Sequence, residues 1–333
     1  MHLLNTSSLK LKTFLTTIPP YAILSHTWDE DEVSFDDINK PHAATLRGYE
    51  KIKLSCTQAV LDGYEWIWID TCCIDKKSSA ELSEAINSMY MWYWDAEICY
   101  AYLSDVPGRK FVEARWFTRG WTLQELLAPT VVEFYTRDPV WRRIGTKLSL
   151  ACEIECATEI QKTYLLDRRT IQQACVGEKF SWASKRITTR SEDIAYCLLG
   201  LVGVNMPLLY GEGAKAFHRL QLEIIKENTD HTIFAWEEPS IFWGMLAPTP
   251  LWFIIQHNEK LHRIDSLPRD LPFEMTNLGL RITLPSIELD GRVVLALLSC
   301  RTSKKARVGI HLTHIRDDIY ARVPHSHIFF NSS

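Results

Sequence analysis

The stretch Trp116-Phe117-Thr118-Arg119-Gly120-Trp121-Thr122-Leu123-Gln124-Glu125-Leu126-Leu127 decides how this chain is read. At about 100° per residue, a helix over 121–128 puts Leu123, Leu126 and Leu127 on one face. Trp121, Gln124, Glu125 and Ala128 then share the other. The leucines bury against a sheet, which turns an indole, an amide and a carboxylate together toward whatever lies beyond. An aromatic surface beside an acid suits a ring-bearing ligand that gathers positive charge. The competing reading is an ordinary amphipathic helix with a solvated Glu125.

Outward from that helix, strands and helices alternate. Tyr21–Ser25, Trp66–Asp70, Ile98–Leu103 and Val131–Tyr135 read as short buried strands. Residues 43–62 read as a helix ending at Gly63, and Leu82, Ala85, Ile86, Met89 and Tyr93 follow helical spacing. Pro129 stops the helix of the opening stretch. The alternation predicts an α/β fold, a parallel sheet with helices on both faces. Ligands of such sheets collect beyond the carboxyl ends of the strands. Those ends carry Ser25–Trp28, Asp70–Asp75 and Ser104-Asp105.

The rest is of a different kind. Residues 147–230 look mainly helical, with capping-box spacing at Thr189 to Glu192. Gly211-Glu212-Gly213 reads as a turn before a helix; a phosphate loop would need a preceding strand and a Gly-Lys-Ser/Thr ending. From 231 the pattern turns to strands, at 232–236, 280–284 and 293–298. This gives three regions: an α/β core over 1–146, a helical extension over 147–230 and a β-rich region over 231–333. His311/His314 and His325/His327 lack an acidic or cysteine partner at ligand spacing, so no metal site is expected.

Composition narrows the classes. The 333 residues are 46% hydrophobic and 23% charged, with a net charge of −4. That balance excludes an electrostatic nucleic-acid binder. Nine cysteines, without a Cys-x-x-Cys pair, read as reduced thiols in an intracellular, cytoplasmic protein. No signal peptide is evident. The apolar stretch Ile241–Gln256 is short and broken by Pro248 and Pro250, so no membrane span is expected. The acidic run Asp29-Glu30-Asp31-Glu32 reads as a solvated loop. The end of the chain soon after Phe329-Phe330 suggests a larger parent protein.

Several motifs resemble one family. Met1-His2-Leu3-Leu4-Asn5-Thr6, Tyr21-Ala22-Ile23-Leu24-Ser25-His26-Thr27-Trp28 and Trp68-Ile69-Asp70-Thr71-Cys72-Cys73-Ile74-Asp75 are similar to the opening of fungal heterokaryon-incompatibility (HET) domain proteins. Arg119-Gly120-Trp121-Thr122-Leu123-Gln124-Glu125-Leu126, Phe180-Ser181-Trp182-Ala183, Arg190–Tyr196, Leu209-Tyr210-Gly211-Glu212-Gly213 and Met275–Leu280 extend the match in order. Asp29 stands where the family usually has Gly, and Lys76 where it usually has Gln. The resemblance implies fungal self/non-self recognition, a form of innate immunity that ends in programmed cell death. It also implies a Toll/interleukin-1-receptor (TIR)-like, flavodoxin-like fold, because Trp121-x-x-x-Glu125-Leu126 resembles the TIR segment Trp-Cys-x-x-Glu-Leu. The Glu of that segment is the essential residue in TIR domains that cleave NAD, and by motif it corresponds to Glu125.

NAD is then a substrate, with no separate cofactor, and the chain a hydrolase (an NADase). Glu125 stabilises the oxocarbenium character of the ribose. Trp121 or Trp28 stacks on a ring, Arg119 pairs with the pyrophosphate, and Ser25 bonds ribose or phosphate. Asp70 and Asp75 contact hydroxyls or orient loops. Cys73, paired in space with His26, is a candidate nucleophile. Each has a structural rival: Asp70 as a turn cap, Arg119 as a salt-bridge partner, Trp28 as a lid on the core. Self-association and an incompatibility partner are the implied interactions. Two other functions compete: a non-catalytic module that signals by homotypic assembly, and a metal-dependent hydrolase using Asp70, Asp75 and the acidic loop.

Overall fold

A computed structural model describes residues 1–137, 141–237, 244–253, 260–264, 272–323 and the backbone of 329–330. The chain divides into two compact units, Met1–Ile171 and Gln172–Ser333.

The first unit is built on a seven-stranded sheet. In chain order its strands are β1 (His2–Asn5), β2 (Leu11–Thr13), β3 (Ala22–His26), β4 (Trp66–Ile69), β5 (Ile98–Leu103), β6 (Val132–Thr136) and β7 (Arg142–Thr146). The spatial order is β2-β1-β4-β3-β5-β6-β7. The inner strands β4, β3, β5 and β6 run parallel; β1 pairs antiparallel between β4 and the edge strand β2, and β7 is the antiparallel edge on β6. All five residues of β3 are buried, as a strand covered on both faces requires.

The chain leaves β3 for β4 on one side and returns to β5 on the other, so the order reverses between β3 and β5. A crevice opens at such a point beyond the carboxyl ends of the strands. Helix α1 (Gly48–Leu61) follows a 3-10 turn at Pro41–Thr45, so the helix expected from 43 begins later. Its start is fixed by the acidic run: the Gly48 N–H donates to the Asp31 carbonyl at 2.8 Å, and the Arg47 N–H to Asp31 Oδ2 at 3.1 Å. A Cβ on Gly48 would come within 2.9 Å of the Asp31 backbone carbonyl, so a larger residue there would force the backbone to shift. The run is thus engaged with the protein where a solvated loop was expected. Helix α2 (Ser79–Asp95) is capped by Ser78, whose hydroxyl accepts from the Glu81 N–H at 3.3 Å.

Helix α3 (Thr122–Leu127) is buried on all sides. At six residues it cannot persist by itself. Its carboxyl end is held by two cations from later in the chain. Lys147 Nζ donates to the carbonyls of Leu126 (3.1 Å) and Pro129 (2.5 Å), and Arg168 Nη1 donates to that of Ala128 (3.1 Å). Burial pulls the Lys147 pKa down to about 8. Arg168 also lies 3.9 Å over the Trp94 ring. Helices α4 (Ala151–Thr158) and α5 (Lys162–Leu166) complete the unit, α4 packing on α5 and α5 on α3.

The second unit joins short helices to strands. Its helices are α6 (Val176–Ala183), α7 (Asp193–Tyr196), α8 (Leu199–Val202) and α9 (Lys215–Glu227), the last burying Phe217, Leu220 and Ile224. Glu192 Oε1 accepts from the N–H groups of Gly211 (2.7 Å) and Gly213 (3.0 Å) and so ties down the turn before α9. Among the described residues the main sheet is antiparallel. Strands β11 (Ser286–Asp290), β12 (Val293–Thr302), β13 (Arg307–Arg316) and β14 (Ile319–Arg322) lie in that order, with β8 (Leu261–Arg263) on β12 and β15 (Phe329–Phe330) on β13. A separate hairpin joins β9 (Glu274–Thr276) to β10 (Gly279–Arg281), and Gly279, which opens β10 opposite Thr276, takes a positive φ (+124°).

Two strand expectations need correction. Residues 231–234 form a 3-10 turn because Asp230 accepts from the Thr232 N–H at 2.9 Å and caps it. The strand expected over 280–284 ends at Arg281. His325 and His327, and parts of Ile241–Gln256, lie outside the described residues. No described helix is long and apolar enough to cross a membrane.

Candidate functional site

The polar residues at the sheet rim fall into two groups on opposite faces of β3, because consecutive strand residues point to opposite sides. Ser25 faces α3, and His26 faces away from it.

On the α3 side, the Ser25 hydroxyl donates to Glu125 Oε2. Trp116 Nε1 donates in turn to Ser25 Oγ at 2.8 Å. An indole N–H can only donate, so it occupies a lone pair on Ser25 and leaves the hydroxyl proton for the carboxylate. The polarity of this relay is therefore fixed from Trp116 through Ser25 to Glu125. The Trp116 ring is wedged edge-on between Phe117 and Phe134, with centroids 5.1 and 5.7 Å away. Its carbonyl accepts from the Thr122 hydroxyl at the start of α3. Tyr93, from α2, places its hydroxyl 3.2 Å from the Leu24 carbonyl. Burial, then the nearby Glu125 charge, pushes the Tyr93 and Cys99 pKa values well up, so both stay neutral.

Glu125 is only 6% exposed, which removes the solvated-glutamate reading. Gln124 beside it is buried with its amide nitrogen unbonded. The indole that reaches the carboxylate's partner is Trp116, one that spacing did not single out. Trp121 is half-buried just before α3, and Arg119 is half-buried at the end of the preceding 3-10 turn.

On the other face, Trp28 is 48% exposed and donates from Nε1 to Asp70 Oδ2 at 2.7 Å. The Lys76 ammonium sits 3.5 Å above the Trp28 ring. His26 Nε2 lies 3.7 Å from Asp70 Oδ1 and 3.9 Å from Glu32 Oε2, and none of these atoms has a hydrogen-bond partner. Burial, then the charges of Lys51 and Lys76, holds His26 well below its usual pKa, so the ring is neutral. Burial raises the Asp70 pKa against the pull of Lys76. Lys51 is ion-paired with Glu32. Arg115 braces the rim, donating to Thr27 Oγ1 and Asp29 Oδ1, each at 3.0 Å.

The remaining candidates are placed as follows. Cys73 is buried behind the end of β4, and its sulfur accepts from the Ile69 N–H at 3.4 Å; the structure does not pair it with His26. Asp75 shapes the turn before α2, accepting from the Lys77 N–H at 2.9 Å while its own N–H donates to Glu81. Among the described residues no group of three or more His, Cys, Asp or Glu is arranged to hold a metal ion. His314 Nε2 is instead 2.7 Å from the Asp317 carbonyl.

Comparison with known proteins gives a consistent picture. Residues 21–110 match the family model described as "Heterokaryon incompatibility protein (HET)". A relative from Podospora anserina, "Vegetative incompatibility protein HET-E-1", is 47% identical over 226 residues. That match covers 63% of this chain but 16% of the relative, so the chain spans a small part of that protein's length. No solved structure matches. The ordered motifs, the family match over residues 21–110 and this identity together make the chain similar to the fungal heterokaryon-incompatibility (HET) domain proteins.

Proposed function

We propose that this chain is the effector portion of a fungal incompatibility protein that cleaves NAD at the nicotinamide–ribose bond when assembled, and thereby triggers cell death in the cytoplasm. The observation that carries the reading is the buried Glu125 carboxylate, oriented by Ser25 and Trp116 beside the reversal of strand order. The order β4-β3-β5-β6 of the parallel strands supports a flavodoxin-like, TIR-like core. In this reading residues 147–230 are a helical extension and 231–333 a β-rich region.

The chemistry asks little of an acid. Nicotinamide leaves as a neutral molecule from a cationic ring, while positive charge grows on the ribose. A fixed carboxylate stabilises that charge at no reorganisation cost. Glu125 fills this role. In this reading Ser25 orients it, Arg119 and Trp121 beside α3 hold pyrophosphate and ring, and Trp28 and Asp70 belong to the second polar group across β3, with Cys73 and Asp75 bracing its loop. The test is purified protein incubated with NAD at high concentration, with nicotinamide release followed beside Glu125→Gln. Turnover that survives the substitution removes Glu125 from the mechanism.

A second reading, assembly without catalysis, is favoured by the same residue's burial, since the carboxylate is already engaged by Ser25. Absence of nicotinamide release from assembled wild-type protein would select it. The incompatibility partner and self-association belong to both readings.

A further inference from the structure

Seven of the nine cysteines are buried. The two exposed ones, Cys152 and Cys156, lie four residues apart on α4. Residues at that spacing share a helix face, with Cβ atoms about 5–6 Å apart. The other face of α4 is closed, because Ala151 and Ile154 are buried. Glu155 lies between the thiols in sequence, and Lys162 answers its charge. Lys162 Nζ is 3.7 Å from Glu155 Oε2, and the Lys162 backbone N–H donates to Glu155 Oε1 at 3.3 Å. Cys152 lies near enough to the Lys162 ammonium to raise the lysine's pKa. An ammonium against sulfur is the arrangement that favours attack on an electrophile.

We propose that Cys152 and Cys156 form a peroxide-reactive dithiol, in which Cys152 attacks and Cys156 resolves. The Cys152 sulfur attacks one oxygen of hydrogen peroxide, the O–O bond breaks, and Cys152 becomes a sulfenic acid as one water leaves. The Cys156 sulfur then attacks the Cys152 sulfur. The S–O bond breaks, an S–S bond forms, and a second water leaves. The two thiols give up two electrons and two protons, and the peroxide takes them.

Closure needs Cβ atoms about 3.5–4.5 Å apart, so α4 must tighten or unwind by roughly an ångström. Cys156 sits in the last turn of α4, just ahead of Glu159 in the left-handed conformation (φ 59°). The final turn is where a helix yields most easily. A disulfide made there is strained and readily reduced.

The experiment treats the whole chain with one equivalent of peroxide and maps every cysteine by peptide mass spectrometry. The expected result is loss of two hydrogens from the peptide joining Cys152 and Cys156, reversed by dithiothreitol, with the buried thiols intact. Cys156→Ser should stop at a sulfenic acid on Cys152, trapped by dimedone. Lys162→Gln should slow the reaction of Cys152 by about tenfold. Oxidation of a buried cysteine first, sulfenic acid on Cys156 in place of Cys152, or an unchanged rate in Lys162→Gln would each overturn the assignment. None of these readouts depends on NAD turnover.

Discussion

Glu125 in the first unit and Glu192 in the second are both nearly sealed from water, at 6% and 7% exposure. Their donors differ in part: Glu192 accepts from the Ser191 hydroxyl at 3.2 Å as well as from backbone, whereas Glu125 accepts from the Ser25 hydroxyl. Glu192 accepts from backbone N–H groups of Gly211 and Gly213, which no substrate can replace without dismantling the turn. Glu125 accepts from a side-chain hydroxyl, at a strand end beside the reversal in strand order. A carboxylate bound by backbone amides is a fastener. One bound by a hydroxyl can exchange that donor for the hydroxyl of a ribose with little change in hydrogen bonding. The contrast separates a structural glutamate from a candidate catalytic one without appeal to the family.

Substitution should break the two glutamates differently. The largest effect expected is on turnover: Glu125→Gln keeps shape but removes charge, and nicotinamide release should fall by about 10²–10³-fold. Its melting temperature should stay within about 3 °C of wild type. A fall of more than that, with turnover lost, would make Glu125 a fastener like Glu192. Next is Leu126→Ala, which empties a fully buried site on α3 and should cost about 2–5 kcal/mol in urea unfolding. A change under 1 kcal/mol, by roughly the range for surface sites, would mean that α3 is not packed as described.

Trp116→Phe sharpens the comparison further. It keeps the ring between Phe117 and Phe134 but removes the N–H, worth about 0.5–1.5 kcal/mol, so turnover should drop up to about tenfold with KM unchanged. A rise in KM alone would move Trp116 from orienting the carboxylate to binding substrate. The smallest effect concerns pH. Backbone hydrogen bonds hold the Glu192 pKa at about 2, below the ordinary 4.5. Its stabilisation is complete above the unfolded value near 4.5 and drains away as pH falls toward 2. Glu192→Gln should therefore flatten the acid limb of the stability curve in that window, as read from urea midpoints. An unaltered limb would show that the Gly211–Gly213 turn does not depend on the carboxylate's charge.

What the sequence disclosed follows from what each element buries. β3, β4, β5 and β6 are legible because parallel strands covered on both faces read as apolar runs. Edge strand β2 has only three residues, and Lys12, Arg142 and Arg143 give the edge strands β2 and β7 a polar surface, so an apolar run does not announce them. The 231–234 turn was misread because Thr232-Ile233-Phe234 has strand composition, while the deciding Asp230 lies just outside the run.

At the site, Ser25 and Glu125 were legible as a strand end and a polar helix face. Their meeting depends on topology. Trp116 was in plain view within the deciding stretch, but a hydrogen bond across 91 residues leaves no periodic trace. The same holds for Lys51, Glu32 and His26. They are drawn together by the fold of the acidic run, and their spacing resembles no familiar motif.

The two cations at the carboxyl end of α3 set a lower limit on what can be expressed as a working fragment. The family match stops at residue 110, before the helix that bears Glu125. A piece ending at 146 keeps that helix yet drops Lys147 and Arg168, leaving the Leu126, Pro129 and Ala128 carbonyls without their donors. Subcloning designed around recognisable motifs would then yield a protein with the right residues in the wrong posture, and a negative assay on it would say nothing about the chemistry of the intact chain.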